Sequence, residues 1–452
     1  MTAPRRAFFG PARRRAFFGP ARRPRAVEGA RGGLPPGGEV RAAGVLWGVT
    51  PPRGVRRGPG GRRRVSPVLC AAIAWLVFVV LHLALSGRVW WWQVPELVPP
   101  PAFLAVPVVL LAAALVAARR AHRPPADATG AVAGSSAGFA GAAVAGPARA
   151  TAVVVALMAL VVGGGASGLN LASLWHRAVP APPDAIKVFS WNTWYWDQTL
   201  DGTMPPPTGT PARDVAAFYR HLRAQDADVL LLQEYLYFGA DSRPIRVNDL
   251  DRLRREFPGY HIAAASELVT LSRFPIVLRR GLDLRPYAED GHTPVPPGSD
   301  WPEFSTVKTL RTDLRIGDRT VSFYNSHINS PVDPSAGGPG PLSLTRTQHE
   351  ARVANLRALA ADIRANPLPA VLAGDFNASP AMGILRLVPG RMADAAPALR
   401  SLYPATWDER LPLWRIDWAY ATQEITVHDY RLVRSNGLSD HSGQRLVLSL
   451  SR

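Results

Sequence analysis

Residues 66–86, SPVLCAAIAWLVFVVLHLALS, carry no charged side chain. Roughly 20 helical residues cross the hydrocarbon core of a bilayer, so this run predicts a membrane span. Two further runs, 101–118 and 150–171, predict two more spans, and the third ends in glycines that can pack closely against neighbouring helices. The first run starts too far from Met1 for a cleavable leader, and two others follow it. The sequence therefore predicts a three-helix anchor over 66–175.

The arginines orient that anchor. Residues 1–65 hold sixteen arginines against Glu28 and Glu39, a balance of +14, whereas residues 180–452 hold 30 basic and 30 acidic residues. Arg119, Arg120, Arg123 and Arg149 lie between the second and third spans, and Arg88 alone, beside Trp90, Trp91 and Trp92, lies between the first and second. Basic loops stay cytoplasmic and tryptophans favour the interface. The expected arrangement is a bacterial cell membrane protein with a cytoplasmic N-terminus and an extracytoplasmic C-terminal part. Residues 1–65 contain RRAFFGPAR twice in succession with frequent Gly and Pro, a composition expected to remain a disordered basic tail. The single cysteine, Cys70, rules out an intrachain disulfide or a multi-thiolate metal site.

Beyond the PAPP linker at 180–183 the pattern becomes α/β over 184–452. Strands are expected at 186–191, 229–232, 268–272, 305–316, 320–326 and 370–373, with Gly317-Asp318 closing a hairpin. Helices are expected at 211–225 and 342–365. Alternating sheets and helices of this extent suit a layered α/β sandwich.

Polar residues gather just past the apolar strands, where loops display side chains around a cleft. They are Asn192, Glu234, His327, Asp375 and Asn377 in AGDFN, Asp417 in RIDWAY, and Ser439-Asp440-His441. Carboxylates and amide oxygens without thiolates suit Mg²⁺, with Mn²⁺ as a substitute. Such an ion neutralises charge developing on a phosphoryl group. A histidine backed by a carboxylate, as Asp417 can back His441, supplies acid–base catalysis. Each element alone is commonplace. A lone Asp-Phe-Asn is usually a turn, and a lone histidine is usually structural.

Their order is distinctive. The series WN, QE, LSRFPI, SHIN, GDFN, RIDW and SDH resembles the endonuclease/exonuclease/phosphatase superfamily, which includes DNase I-like nucleases, sphingomyelinases and inositol polyphosphate phosphatases. The resemblance implies a four-layered α/β sandwich and a metal-dependent hydrolase of phosphate esters. It implies Glu234, Asn192 and Asp440 around Mg²⁺, and His441 as general base or phosphate contact with Asp417 orienting it. It further implies Asp375 positioning the water or leaving group, Asn377 holding a phosphate oxygen, and His327 assisting at the phosphate. Ser326 and Ile328 depart conservatively from the residues commonly flanking that histidine.

Specificity is expected in three variable loops, 197–211, 284–303 (with His292) and 330–341. Trp191, Trp194, Tyr195 and Trp196 could meet an acyl chain or fill the core. Tethering raises the effective concentration of membrane-borne phosphates, and the layout resembles three-span actinobacterial members linked to glycopeptide resistance. The expected partners are the bilayer and a lipid-linked phosphate such as undecaprenyl pyrophosphate. An extracellular nuclease is the alternative, weakened by the neutral C-terminal part. A catalytically silent protein that binds phosphate headgroups is the third reading.

Overall fold

The structure is a computed structural model that describes residues 66–121, 137–196, 214–238, 243–289, 295, 298–332 and 341–451. The repeat-containing tail and the 197–211 loop, together with His292 and most of the 330–341 loop, lie outside the described residues.

Three apolar helices come first: α1 (Pro67–Leu85), α2 (Ala102–Ala121) and α3 (Ala137–Gly163). All are long and apolar enough to cross a membrane. The third helix stops at Gly163 rather than running on to 171. Gly164–Ser167 and Leu171–Leu174 form 3₁₀ turns instead, and Gly168 between them takes φ +79, which a side chain rarely adopts. Short turns at Trp90–Trp92 and Pro95–Leu97 join α1 to α2.

The remainder holds fourteen described strands. In chain order they are β1 (Ile186–Asn192), β2 (Val229–Gln233), β3 (Leu236–Phe238), β4 (Pro244–Arg246), β5 (His261–Ala265), β6 (Leu268–Ser272) and β7 (Ile276–Asp283). Then come β8 (Val307–Ile316), β9 (Arg319–His327), β10 (Ala370–Asp375), β11 (Ala393–Asp394), β12 (Asp417–Ala421), β13 (Ile425–Val433) and β14 (Gly443–Leu450). One six-stranded sheet runs β13-β14-β1-β2-β6-β5 and the other β11-β12-β10-β9-β8-β7. The described helices of this part are α4 (Val215–Ala224), α5 (Leu250–Glu256), α6 (Pro302–Thr306) and α7 (Pro341–Ala365). Residues 305 and 306, expected in a strand, complete α6.

Period-two alternation explains the layering. In β2, Val229 and Leu231 point into a core shared by both sheets, with Val188, Phe323, Val371 and Leu446. Leu230 and Leu232 point the other way, onto Phe218, Leu222 and Leu253 of α4 and α5. On the second sheet, Phe323 faces the shared core while Tyr324 meets Leu356, Leu359 and Ile363 of α7. Helix, sheet, sheet and helix thus form a four-layered α/β sandwich. Trp191 and Trp196 are buried beneath α4, so they fill core, while Trp194 and Tyr195 are half-buried.

The sheets bring their functional ends together through two parallel pairs. β1 lies parallel to β2, with Asn192 opposite Gln233. β9 lies parallel to β10, with His327 opposite Asp375, and β12 sets Asp417 on the other flank of Asp375. Below this edge the sheets are bridged by buried amides: Gln233 donates to Asn325 Oδ1 at 2.7 Å, and Asn325 donates to the carbonyls of Leu232 and Val269. A buried amide is costly unless bonded, so this bridge specifies how the sheets align.

The anchor is tied to the sandwich by its own buried polar groups. Asn170 Nδ2 donates to Ala396 O at 2.7 Å and Leu399 O at 3.1 Å. Ser86 Oγ accepts from Gly383 N at 2.6 Å, Arg386 donates to Ser86 O, and Gln93 donates to Pro331 O. Gly87 takes φ +67, and a Cβ there would overlap the Ile384 backbone.

Candidate active site

Asp375, the last residue of β10, is the hub. Its Oδ2 accepts from Asn192 Nδ2 at 3.0 Å and Asn377 Nδ2 at 3.3 Å, while Oδ1 accepts from Asn377 N at 2.7 Å. Gly374 before it takes φ +146, and a side chain there would collide with the Ser326 carbonyl. The glycine of AGDFN therefore allows β9 and β10 to close up beneath the site.

Two imidazoles face this carboxylate. His327 Nε2 lies 3.6 Å from Asp375 Oδ2, and His441 Nε2 lies 3.7 Å from the same atom. Each ring is backed by a second carboxylate on its far nitrogen. His441 Nδ1 bonds Asp417 Oδ2 at 2.9 Å. His327 Nδ1 faces Glu267 Oε1 at 3.1 Å, in ion-pair contact but off the hydrogen-bond line. Glu267 also pairs with Lys308, and both side chains are buried.

Glu234 follows β2 with φ +60, which turns its carboxylate back toward the cluster. It accepts from Asn192 Nδ2 at 3.0 Å and Tyr195 N at 2.9 Å, and its Oε1 lies 3.8 Å from His327 Nε2. Asp440 Oδ2 accepts from Trp407 Nε1 at 2.9 Å, and its Oδ1 is buried without a partner, 3.9 Å from His441 Nε2. Ser439 Oγ donates to Asn192 O at 2.8 Å, fixing the SDH turn onto β1.

All nine residues singled out in the sequence therefore meet at this end of the two sheets. Two of them sit differently from the simplest reading. Asn192 spends its NH₂ on Glu234 and Asp375, while its Oδ1 accepts from Trp194 N at 3.0 Å. Asn377 donates to Ile328 O at 3.0 Å and to Asp375, so it braces Asp375 in this arrangement. Glu267 was missed by sequence reasoning. It precedes β6 directly, where an acidic residue before an apolar run looks like any turn residue.

The electrostatics follow from crowding charges in a buried place. Burial works against a charged His441, but Asp417, Asp440 and Asp375 outweigh it and raise its pKa well above the usual value. His327 is likewise raised, with Glu267 overcoming burial. Burial raises Asp375, helped by Asp417 and opposed by His441. Burial also raises Glu234, with the charges of Asp440 and Glu267 adding to it. Glu267 goes the other way: Lys308 and His327 overcome burial and hold it at about 2.

Two groupings could hold a cation. Asp375, Asp417 and His441 offer ligand atoms within 4.8 Å of one another. However, the Asp417 and His441 atoms that face each other are already bonded together. Glu234 and Asp440 fit better: both are oxygen donors, Asp440's charge disfavours ionisation of Glu234, and Asp440 Oδ1 lacks a partner. A buried orphan oxygen beside a second carboxylate is what a hard divalent ion relieves.

Back-to-back mixed sheets with a carboxylate–imidazole cluster at one edge define a phosphoesterase-like α/β sandwich. The Endonuclease/Exonuclease/phosphatase family profile matches residues 167–441, and the chain belongs to that family. Similar solved structures include an endonuclease/exonuclease/phosphatase from Beutenbergia cavernae, 18% identical, covering 59% of this chain and 72% of that one at TM-score 0.42. Sphingomyelinase C from Streptomyces griseocarneus is 17% identical, covering 60% and 99% at TM-score 0.37. The human Nocturnin catalytic domain with bound sulfate is 14% identical, covering 62% and 99% at TM-score 0.39. No curated protein matches the chain.

Proposed function

We propose that this protein is a membrane-anchored, Mg²⁺-dependent hydrolase of phosphate esters or pyrophosphates carried on lipids, with its sandwich domain outside the cell. The observation that carries the reaction class is the pair of carboxylate-backed imidazoles turned inward over Asp375. The pKa directions suit a division of labour. His327 and His441, held cationic, present Nε2–H donors to phosphoryl oxygens. Asp375, its pKa raised, takes a proton from the attacking water. Asp417 orients His441, Glu267 orients His327, and Asn192 and Asn377 fix Asp375. A divalent cation held by Glu234 and Asp440 would neutralise charge growing on the phosphate.

The lipid substrate is supported by the anchor and by where it docks. Ala381, whose carbonyl meets His82 of α1 at 2.7 Å, is six residues from Asp375 in the chain. Undecaprenyl pyrophosphate is the favoured candidate. Full-length protein in nanodiscs, with Mg²⁺ or with EDTA, should release phosphate from a polyprenyl pyrophosphate and leave plasmid DNA intact. Cleavage of DNA without turnover of lipid would make it a nuclease. A C-terminal phosphatase-type reporter should be active; a silent one would place the domain in the cytoplasm.

A further inference from the structure

A cavity of about 480 Å³ opens where α1 leaves its membrane span and meets α7. Its walls combine Gly87–Trp91 from the anchor with Arg346, His349 and Arg357 from one stripe of α7. The active-site face of that helix is different: there Arg352 donates to the carbonyls of Asn329 and Asn377. The cavity is therefore distinct from the carboxylate–imidazole cluster. Its volume falls in the range of small-molecule sites, about 300–1,000 Å³.

Depth is set by α1. Nineteen residues at about 1.5 Å each cover roughly the hydrocarbon thickness of a bilayer. The residues just beyond Leu85 then lie among headgroups, whichever side of the membrane carries the sandwich. Trp90 and Trp91 line the cavity there, and Trp91 is exposed, the placement that indoles favour at an interface.

Charge names the ligand. Three guanidiniums, from Arg88, Arg346 and Arg357, line the cavity with two carboxylates, Glu289 and Glu350, which leaves one positive charge in excess. Arg346 has Glu350 at 2.6 Å and Arg357 has Glu289 at 3.1 Å, exposed pairs of the weak kind. Arg88 donates to Ala84 O of its own helix, and no carboxylate among the described residues pairs with it. Arg386 donates to Ser86 O, two residues before Arg88, and its pKa is lowered by burial and then by the charge of Arg88. His349 adds a buried imidazole. We propose that this cavity binds the phosphate headgroup of an anionic glycerophospholipid, its acyl chains lying along α1, and so clamps the anchor to the sandwich. Guanidinium groups match phosphate oxygens in both charge and geometry. The proposal stands apart from the reading of the active site.

Native mass spectrometry of the full-length protein in detergent tests it, with phosphatidylglycerol and phosphatidylcholine offered in equal amounts. Phosphatidylglycerol should be retained over phosphatidylcholine by about tenfold, because both carry the phosphate but only phosphatidylcholine adds a cation that the guanidiniums repel. Arg88→Gln with Arg357→Gln should abolish that preference, and Glu289→Gln, which frees Arg357, should increase it. A thermal midpoint unchanged in phosphatidylcholine alone checks that the double variant folds; the Glu289→Gln result does not depend on it. An undiminished preference in the double variant would overturn the proposal, as would no gain in Glu289→Gln. Displacement of the lipid by inorganic phosphate would assign the site to the free anion and overturn it equally.

Discussion

At the scale of residues, the site is a set of buried charges that hold one another in place. His441 depends on Asp417 for both its positive charge and its orientation, through the 2.9 Å bond at Nδ1. Asp417→Asn should lower kcat by about 10²–10⁴-fold with KM nearly unchanged, measured by steady-state phosphate release. Glu267 ties His327 to Lys308, and removing one partner of a buried pair strands the other charge. Glu267→Gln should cost about 3–5 kcal/mol in thermal or denaturant unfolding, and Lys308→Met in the same chain should recover part of it. The pH dependence has a definite sign. Glu267 is held at about 2 against an ordinary 4.5, so its contribution is present above 4.5 and is lost as pH falls toward 2. The wild-type unfolding midpoint should therefore drop through that window more steeply than that of Glu267→Gln.

The sequence revealed residues of this kind unevenly. Asp375, Asp417 and His441 stood in short runs whose order was informative. Glu267 did not, because its meaning comes from Lys308 and His327, which β8 and β9 bring to it from the facing sheet. The donor assignments of Asn192 and Asn377 were hidden for the same reason: an amide's partners are set by packing, not by its neighbours in the chain.

At the scale of elements, alternation and strand pairing decide where the site forms. The apolar strands β1, β2, β6 and β10 were legible because burial on both faces leaves continuous apolar runs, and the helix α7 because apolar residues such as Leu356, Leu359 and Ile363 recur at helical spacing. The C-terminal strands β13 and β14 were not, because ITVHDYRLV and GQRLVLSL mix charged and polar residues into half-buried strands. The end of α3 was misjudged because a glycine-rich apolar run can continue a helix or break it, and here the helix ends at Gly163. One glycine carries a direct test. Gly374→Ala should disrupt the β9–β10 pairing and cost several kcal/mol, on the order of a strained backbone plus an overpacked core. Circular dichroism of the purified variant, with its thermal midpoint, reads the result; a wild-type midpoint would contradict the close approach seen at Ser326.

At the scale of the whole molecule, a neutral sandwich is joined to an apolar anchor by buried hydrogen bonds rather than by a loose linker. That junction was invisible in the sequence, where the PAPP segment at 180–183 looked like a linker. Ser86, Gln93 and Asn170 instead find their partners some 230 to 300 residues away in the chain. A domain held this way has a fixed attitude to its anchor.

Binding of Mg²⁺ to the full-length protein, followed by calorimetry alongside phosphate release, tests most directly whether the clustered carboxylates and imidazoles form a metal-dependent hydrolytic centre. The expected result is saturable binding that Glu234→Gln and Asp440→Asn weaken, with phosphate release falling in parallel and stopping in EDTA. Phosphate release that persists undiminished in EDTA and in both variants would contradict it.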